Sequence, residues 1–160
     1  MQSKLVEAPK RYFAGKRCQM SLVNNQTADL WRGFMPRKKE INHAVGSELF
    51  SIEVYPKEYF SLFNPASSFE KWAAVEVQDK SMLLGDMEYL IVPPGLYVVF
   101  QYKGSPQEAP KFFAYIFKQW MPASDFELAH RPHFAVMGDK YDNESEDSEE
   151  EIWIPVKPKE

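Results

Sequence analysis

A short passage occurs twice in this chain, as Leu30-Trp31-Arg32-Gly33-Phe34-Met35-Pro36 and as Ile116-Phe117-Lys118-Gln119-Trp120-Met121-Pro122. Each version has an apolar pair, two polar or small residues, an aromatic residue, Met and Pro, and the two prolines are 122 − 36 = 86 residues apart. A period near half of the 160 residues indicates one supersecondary unit used twice, with each copy packing its apolar face on the other. The seam between the copies is therefore where a site is expected.

The composition is that of a soluble globular protein, and we expect a single domain over 1–160 with a first repeat at about 10–80 and a second at about 88–157. The net charge is −4 and no basic stripe accompanies the aromatic residues, which disfavours nucleic acid as a partner. One cysteine excludes an internal disulfide framework, and no apolar run is long enough to cross a membrane. These features predict a cytoplasmic protein with no membrane partner.

Helices and strands are predicted in the same order in both copies. Apolar residues at helical spacing predict a helix over 110–120 that Pro122 stops, and subtracting 86 places the matching helix at about 25–35. Runs rich in β-branched and aromatic residues predict strands at 11–20, 49–55 and 71–77 in the first copy and at 96–102, 134–137 and 151–156 in the second. The predicted fold class is α+β: two strand-helix-strand-strand units form antiparallel sheet with both helices on one face. The opposite, concave face is then expected to be free for a ligand.

Several motifs of the chain resemble a known family. They are Pro93-Pro94-Gly95-Leu96-Tyr97-Val98-Val99-Phe100, Gly104, the helix end Trp120-Met121-Pro122 and Glu151-Ile152-Trp153-Ile154-Pro155-Val156. In this order they resemble the GyrI-like small-molecule-binding domain, the effector-binding part of AraC-type and MerR-type multidrug regulators, over about 5–157. The resemblance implies a tandem strand-helix-strand-strand fold, with a groove between the copies that takes up apolar, often aromatic and cationic, compounds. Regulators of the family carry a separate DNA-binding module, for which this chain has no residues left over.

The chain departs from this family at one place. Its passage 130–137 resembles a stretch where many relatives have a Glu, the usual ligand or catalytic carboxylate, and often a Tyr two residues later. Ala135 and Met137 stand there in this chain, whereas Glu53 and Tyr55 keep the acid and the phenol in the first copy. Without a carboxylate at 135, the second copy has no obvious general base, and binding is favoured over hydrolysis. The alternative is that Glu76 or Glu53 substitutes for it from the facing copy.

Five residues are predicted to bind the ligand: Glu53, Tyr55, Trp72, Glu76 and Tyr97. Because side chains alternate along a strand, Glu76 shares a face with Trp72, and Glu53 shares a face with Tyr55. A carboxylate in an apolar strand is costly unless it is paired or belongs to a site. The alternative for both carboxylates is an exposed strand position in water.

No metal site and no cofactor are predicted. Eight acidic residues between 139 and 151 are typical of a solvated loop, and the run lacks the glycine that a calcium loop needs. The three histidines and Cys18 do not have the spacing of zinc ligands.

Three functions remain open from the sequence. The leading one is a stand-alone protein that binds an apolar, aromatic or cationic small molecule. The second is a hydrolase of strained, cyclopropane-containing hydrophobic compounds, an activity that some family members have. The third is a protein-binding inhibitor, such as a gyrase modulator, whose acidic loop contacts a basic partner.

Overall fold

The chain folds around one large antiparallel sheet, and the computed structural model describes residues 3–79, 86–142 and 144–160. Within these residues the strands are β1 Ser3–Ala8, β2 Arg11–Met20, β3 Leu49–Val54, β4 Phe69–Val77, β5 Glu88–Val92, β6 Gly95–Lys103, β7 Phe126–Leu128, β8 His133–Met137 and β9 Glu149–Pro158. The principal helices are α1 Thr27–Phe34 and α2 Ala109–Tyr115. The predicted α+β class is confirmed. The predicted end of the first repeat, at about residue 80, lies outside the described residues.

The two helical segments end differently from the sequence prediction. A 3-10 segment, Met35–Glu40, follows α1, and α2 continues through a π-helical turn, Ile116–Trp120, into a last turn, Met121–Ala123. Pro122 therefore lies inside the final turn instead of stopping the helix before it. A proline ring crowds the carbonyl four residues earlier in a regular α-helix. In the wider π turn the Met121 N–H bonds to the Ile116 carbonyl, five residues back.

The order of the strands shows how the two copies combine. It is β1-β6-β9-β8-β3-β4-β2-β5, with β7 beside β9, and the copies meet where β3 pairs with β8. Each copy also has a leading strand that the sequence pattern did not predict, and the two leading strands are exchanged. The strand β1 pairs with β6 of the second copy, and β5 pairs with β2 of the first.

Short connections bring the two ends of the sheet together. Only Pro9 and Lys10 join β1 to β2, although these strands stand near opposite ends of the strand order. Three Cα steps of 3.8 Å limit the distance from Ala8 to Arg11 to about 11 Å, so the sheet must curve until its ends are close. Seven strands fill the inner side with buried apolar residues: Ala8, Phe13, Phe50, Ile52, Trp72, Ala74, Val92, Tyr97 and Phe134. The expectation that the face opposite the helices is free for a ligand is therefore wrong.

The other face of the sheet carries both helices. Ala73, Ser51, Ala135 and Ile152 are successive cross-strand partners and so share one face. The helix α1 packs on Ala73 and its neighbours at one end of this row, and α2 with the turns after it packs on Ile152 and its neighbours at the other. The middle of the row, at the β3–β8 seam, lies between the helices. None of the described helices is long and apolar enough to cross a membrane.

Candidate functional site

A cavity of about 890 Å³ lies over the seam, between the two helical segments. Ser51 and Ala135 are opposite each other in the β3–β8 pair and both contribute to its floor. Because these two side chains are small, they leave open space above the sheet where larger residues would fill it. The volume lies within the range of about 300–1,000 Å³ that is usual for small-molecule sites.

The walls of the cavity are mainly aromatic and aliphatic. Trp31 comes from α1, Phe113 comes from α2, and Phe117 comes from the π-helical turn that follows α2. Both copies therefore contribute rings, one helical segment from each side of the seam. Rings of this kind offer a large apolar contact area to a planar or aromatic ligand.

An aromatic cluster closes one end of the cavity. The rings of Tyr55 and His133 meet nearly at right angles with centroids 4.9 Å apart. Phe60, from the segment between β3 and β4, stacks on His133 at 5.5 Å and also lies 5.2 Å from Phe117 of the second copy. Complete burial lowers the pKa of His133 to about 3, so its imidazole is neutral at physiological pH. Burial also raises the pKa of the Tyr55 phenol well above its usual value.

The cavity also contains an ion pair. Glu53 and Lys71 are cross-strand partners on β3 and β4, and the Lys71 ammonium donates a hydrogen bond to the Glu53 carboxylate. Both side chains line the cavity, and they are only 17% and 12% exposed, respectively. The pair is neutral as a unit, which is the form in which two charges are tolerated away from water.

A second carboxylate in the cavity has no such partner. Glu150, the second residue of β9, lines the cavity, and its carboxylate has no hydrogen-bond or ion-pair partner among the residues that the structure describes. Burial, followed by repulsion from Glu53, raises its pKa to about 7, while Lys71 acts in the opposite direction. Glu150 is therefore partly protonated near neutral pH.

The structure separates the five residues that the sequence predicted as ligand-binding. Glu53 and Tyr55 line the cavity. Trp72 and Tyr97 are buried in the ring cluster on the other face of the sheet, and Glu76 lies on that same face, opposite Phe13. The physical cause is the closure of the sheet, which packs that face with side chains and leaves the open volume on the helix side.

On the inner face, Glu76 binds an arginine instead of facing open space. The Arg11 guanidinium donates two hydrogen bonds of 2.9 Å to the Glu76 carboxylate. The same guanidinium lies 5.2 to 5.7 Å from the ring centroids of Phe13, Phe50, Phe134 and Trp153. The Arg11 guanidinium, bound by a carboxylate and surrounded by four rings, therefore fills this end of the inner face and has a structural role.

Polar atoms of the two buried aromatic residues are also used within the fold. The Tyr97 hydroxyl donates a 2.8 Å hydrogen bond to the Pro132 carbonyl. The Trp72 indole N–H donates a 2.6 Å hydrogen bond to the Glu70 carboxylate. Neither residue is among those that line the cavity.

Two cavity residues were missed in the sequence analysis, although alternation along their strands indicates that they face the cavity. The predicted acidic loop includes Glu150, although this residue alternates with Ile152 and Ile154, which also line the cavity. The strand predicted over 134–137 leaves out His133, which begins β8 and alternates with Ala135 and Met137. Period-two alternation from known cavity positions would have found both residues.

The described residues contain no group of three or more His, Cys, Asp or Glu side chains arranged to hold a metal ion. Besides its rings and aliphatic side chains, the cavity is lined by the carboxylates of Glu53 and Glu150 and by the ammonium group of Lys71.

Comparison with known proteins gives the same picture of the fold. The family model described as GyrI-like small molecule binding domain matches residues 1–157. The structure of SAV2435 bound to tetraphenylphosphonium superposes with a TM-score of 0.72 at 17% identity, covering 98% of this chain and 94% of that one. The EcmrR C-terminal domain has a TM-score of 0.72 at 16% identity, covering 99% and 98% of the two chains. In the EcmrR–DNA complex the matching region is 58% of the EcmrR chain.

A further similar structure is a hydrolase encoded by lin2189 from Listeria innocua, with a TM-score of 0.58 at 11% identity, covering 98% of this chain and 92% of that one. No curated protein matches the sequence. At these identities the structural neighbours show a shared fold, and the family model shows the kind of domain.

Proposed function

The chain belongs to the GyrI-like small-molecule-binding domain family, and from this premise we propose that it binds one apolar, aromatic molecule in the cavity between its two copies. The single observation that carries the proposal is the 890 Å³ cavity at the seam, with rings on its walls and carboxylates beside its floor. We further propose that a cationic compound is preferred. Tetraphenylphosphonium, the molecule bound to the similar SAV2435 structure, is of this kind.

The charges in the cavity support the preference for a cation. Glu53 and Lys71 cancel each other, so that ionised Glu150 leaves the cavity with one net negative charge. A cation that leaves water for an apolar cavity needs both aromatic faces and an opposite charge nearby. Trp31, Phe113 and Phe117 supply the faces, and Glu150 supplies the charge.

Titration with tetraphenylphosphonium, followed by tryptophan fluorescence and thermal unfolding, tests the proposal. Trp31 lies on the wall of the cavity, so its emission should change when a ligand enters. A ligand at 100 times its Kd adds about 2.7 kcal/mol of stability, which corresponds to an increase in Tm of about 5 to 10 °C for a chain of this size. No change in emission or Tm with this cation or with neutral triphenylphosphine oxide would overturn the proposal.

A variant that fills the cavity locates the site. Ala135→Phe places a ring on the floor, opposite Ser51, and should abolish the ligand-induced Tm shift while the ligand-free protein remains folded. Ala135→Ser keeps a small side chain at the same position and should bind as the wild type does. Unchanged binding by Ala135→Phe would show that the ligand occupies another place.

We infer hydrolysis as the second candidate function, because Glu150 meets one requirement of a general base. A carboxylate whose pKa is raised to about 7 can remove a proton from water near neutral pH. Turnover of a cyclopropane-containing ester that rises through pH 7 and disappears in Glu150→Gln would support this activity. An absence of turnover between pH 5 and pH 9, with ligand binding intact, would leave binding as the function.

A further inference from the structure

We propose that a cationic ligand replaces a proton at Glu150, so that one proton leaves the protein as the cation enters the cavity. This inference rests on the proposed small-molecule binding and names the residue through which pH regulates it. No bond to the ligand is formed: the Glu150 carboxylic acid loses H⁺ to the buffer, and the resulting carboxylate faces the cation.

The first step is that Glu53 is already neutralised. Its carboxylate accepts a hydrogen bond from the Lys71 ammonium, and both side chains are largely buried. A cation beside Glu53 would also lie beside Lys71, whose repulsion offsets much of the attraction. Glu53 therefore contributes less to the binding of a cation than its charge alone indicates.

The second step is that Glu150 is free to respond. It lines the same cavity without a hydrogen-bond or ion-pair partner among the described residues. Its neighbours along the same face of β9 are Ile152 and Ile154, which give the carboxylate little compensation for lost water. Protonation is how an unpartnered carboxylate avoids this cost, and a cation removes the need for it.

The third step is that few other groups in the cavity titrate over the same range. The helices contribute no titratable side chain to the lining, and His133 of β8 stays neutral because its pKa is lowered to about 3. The tyrosines around the cavity have raised pKa values and stay protonated. The titratable or charged groups of the elements packed around Glu150 are Glu53 and Tyr55 of β3 and the segment after it, Lys71 of β4, Tyr102 of β6, His133 of β8 and Tyr141 of the following loop.

The expected size of the effect follows from the ionised fraction of Glu150. With a pKa of about 7, about a tenth of the molecules carry the carboxylate at pH 6 and about nine tenths carry it at pH 8. The apparent Kd for a permanent cation should therefore fall about tenfold between these pH values. A neutral ligand of similar shape should show no such fall.

Isothermal titration calorimetry of the full chain measures this exchange. Tetraphenylphosphonium carries a fixed charge, so every proton released on binding comes from the protein. Titrations in two buffers that differ in ionisation enthalpy, phosphate and imidazole at pH 6 and phosphate and Tris at pH 8, should give about 0.9 protons released at pH 6 and about 0.1 at pH 8. Triphenylphosphine oxide, as the neutral probe, should release none.

Two neighbouring variants separate the role of Glu150 from a general loss of charge. Glu150→Gln should abolish proton release, remove the pH dependence and weaken cation binding about tenfold at pH 8, which is about 1.4 kcal/mol, while leaving the neutral probe unchanged. Glu149→Gln removes the same charge one residue away, where the side chain alternates out of the cavity and faces Lys140 at 3.8 Å. It should retain the wild-type proton release.

The outcomes distinguish the proposed small-molecule binding from the proposed proton exchange at Glu150. If neither probe binds the wild type, the proposed function is overturned. If the cation binds without releasing a proton, or if Glu150→Gln keeps the wild-type pH dependence, the proposed function stands and the proton exchange at Glu150 is overturned.

Discussion

Folding changes the protonation of both His133 and Glu150 between pH 5 and pH 6.5, and we expect the two residues to change the stability of the fold in opposite directions over this range. Burial lowers the pKa of His133 from 6.5 to about 3. Burial and the nearby Glu53 raise the pKa of Glu150 from 4.5 to about 7. Between pH 5 and pH 6 both groups are mostly neutral in the folded protein and mostly charged in the unfolded chain.

The two signs follow from which state holds the proton. At His133 the unfolded chain binds more protons, so the free energy of unfolding falls as the pH decreases from 6.5 towards 3. At Glu150 the folded protein binds more protons, so its contribution is complete below pH 4.5 and is lost as the pH rises through 7. Lowering the pH from 6.5 to 5 costs about 1.5 kcal/mol at His133 and restores about 1.5 kcal/mol at Glu150.

Urea unfolding followed by tryptophan fluorescence at pH values from 5 to 6.5 tests this balance. His133→Phe retains a ring against Tyr55 and Phe60, and relative to the wild type it should gain about 1.5 kcal/mol on acidification over this range. Glu150→Gln should lose about as much. Comparison with the wild type at each pH cancels the titration of all other carboxylates. Parallel stability curves for the three proteins would refute the assigned protonation states.

Two other variants test the division between the faces of the sheet. Glu76→Gln leaves the Arg11 charge without its carboxylate, so the free energy of unfolding in urea should fall by about 2 kcal/mol. The Kd for tetraphenylphosphonium should change less than twofold. A large change in Kd at unaltered stability would place Glu76 in the site. Lys71→Met leaves the Glu53 carboxylate without its partner, so calorimetry should show about tenfold tighter binding of the cation. The free energy of unfolding should fall by about 3 kcal/mol. Weaker binding at unaltered stability would contradict the role given to the ion pair.

Local patterns predicted most elements of the fold. The repeat separated by 86 residues placed both helical segments, and the runs of apolar residues placed six of the strands that pair at the centre of the sheet. Alternation correctly paired Glu53 with Tyr55 and Trp72 with Glu76 on their faces. These features depend on neighbours along the chain, where periods of 2 and 3.6 decide which side chains point together.

The leading strands were missed because their patterns are weak. Most of β1 is exposed, and its run Ser3-Lys4-Leu5-Val6-Glu7-Ala8 mixes polar and apolar residues as an edge strand does. The strand β5 has only five residues, Glu88–Val92. Their exchange between the copies follows from pairing across the whole chain, for which a local pattern contains no information.

Only part of the candidate site could be predicted, because the rest also depends on strands that are distant in sequence. From the sequence alone, the two copies, their seam and the acid and phenol at Glu53 and Tyr55 could be inferred, since each follows from periodicity within a short segment. Which face stays open was decided by the curvature of the sheet, which brings Arg11 of β2 to 5.3 Å from the ring centroid of Trp153 on β9. The same long-range packing brings Glu150 of the second copy into the cavity that holds Glu53 of the first. An unpartnered carboxylate is therefore a property of the assembled seam, because its partners and its water are set by strands distant in sequence.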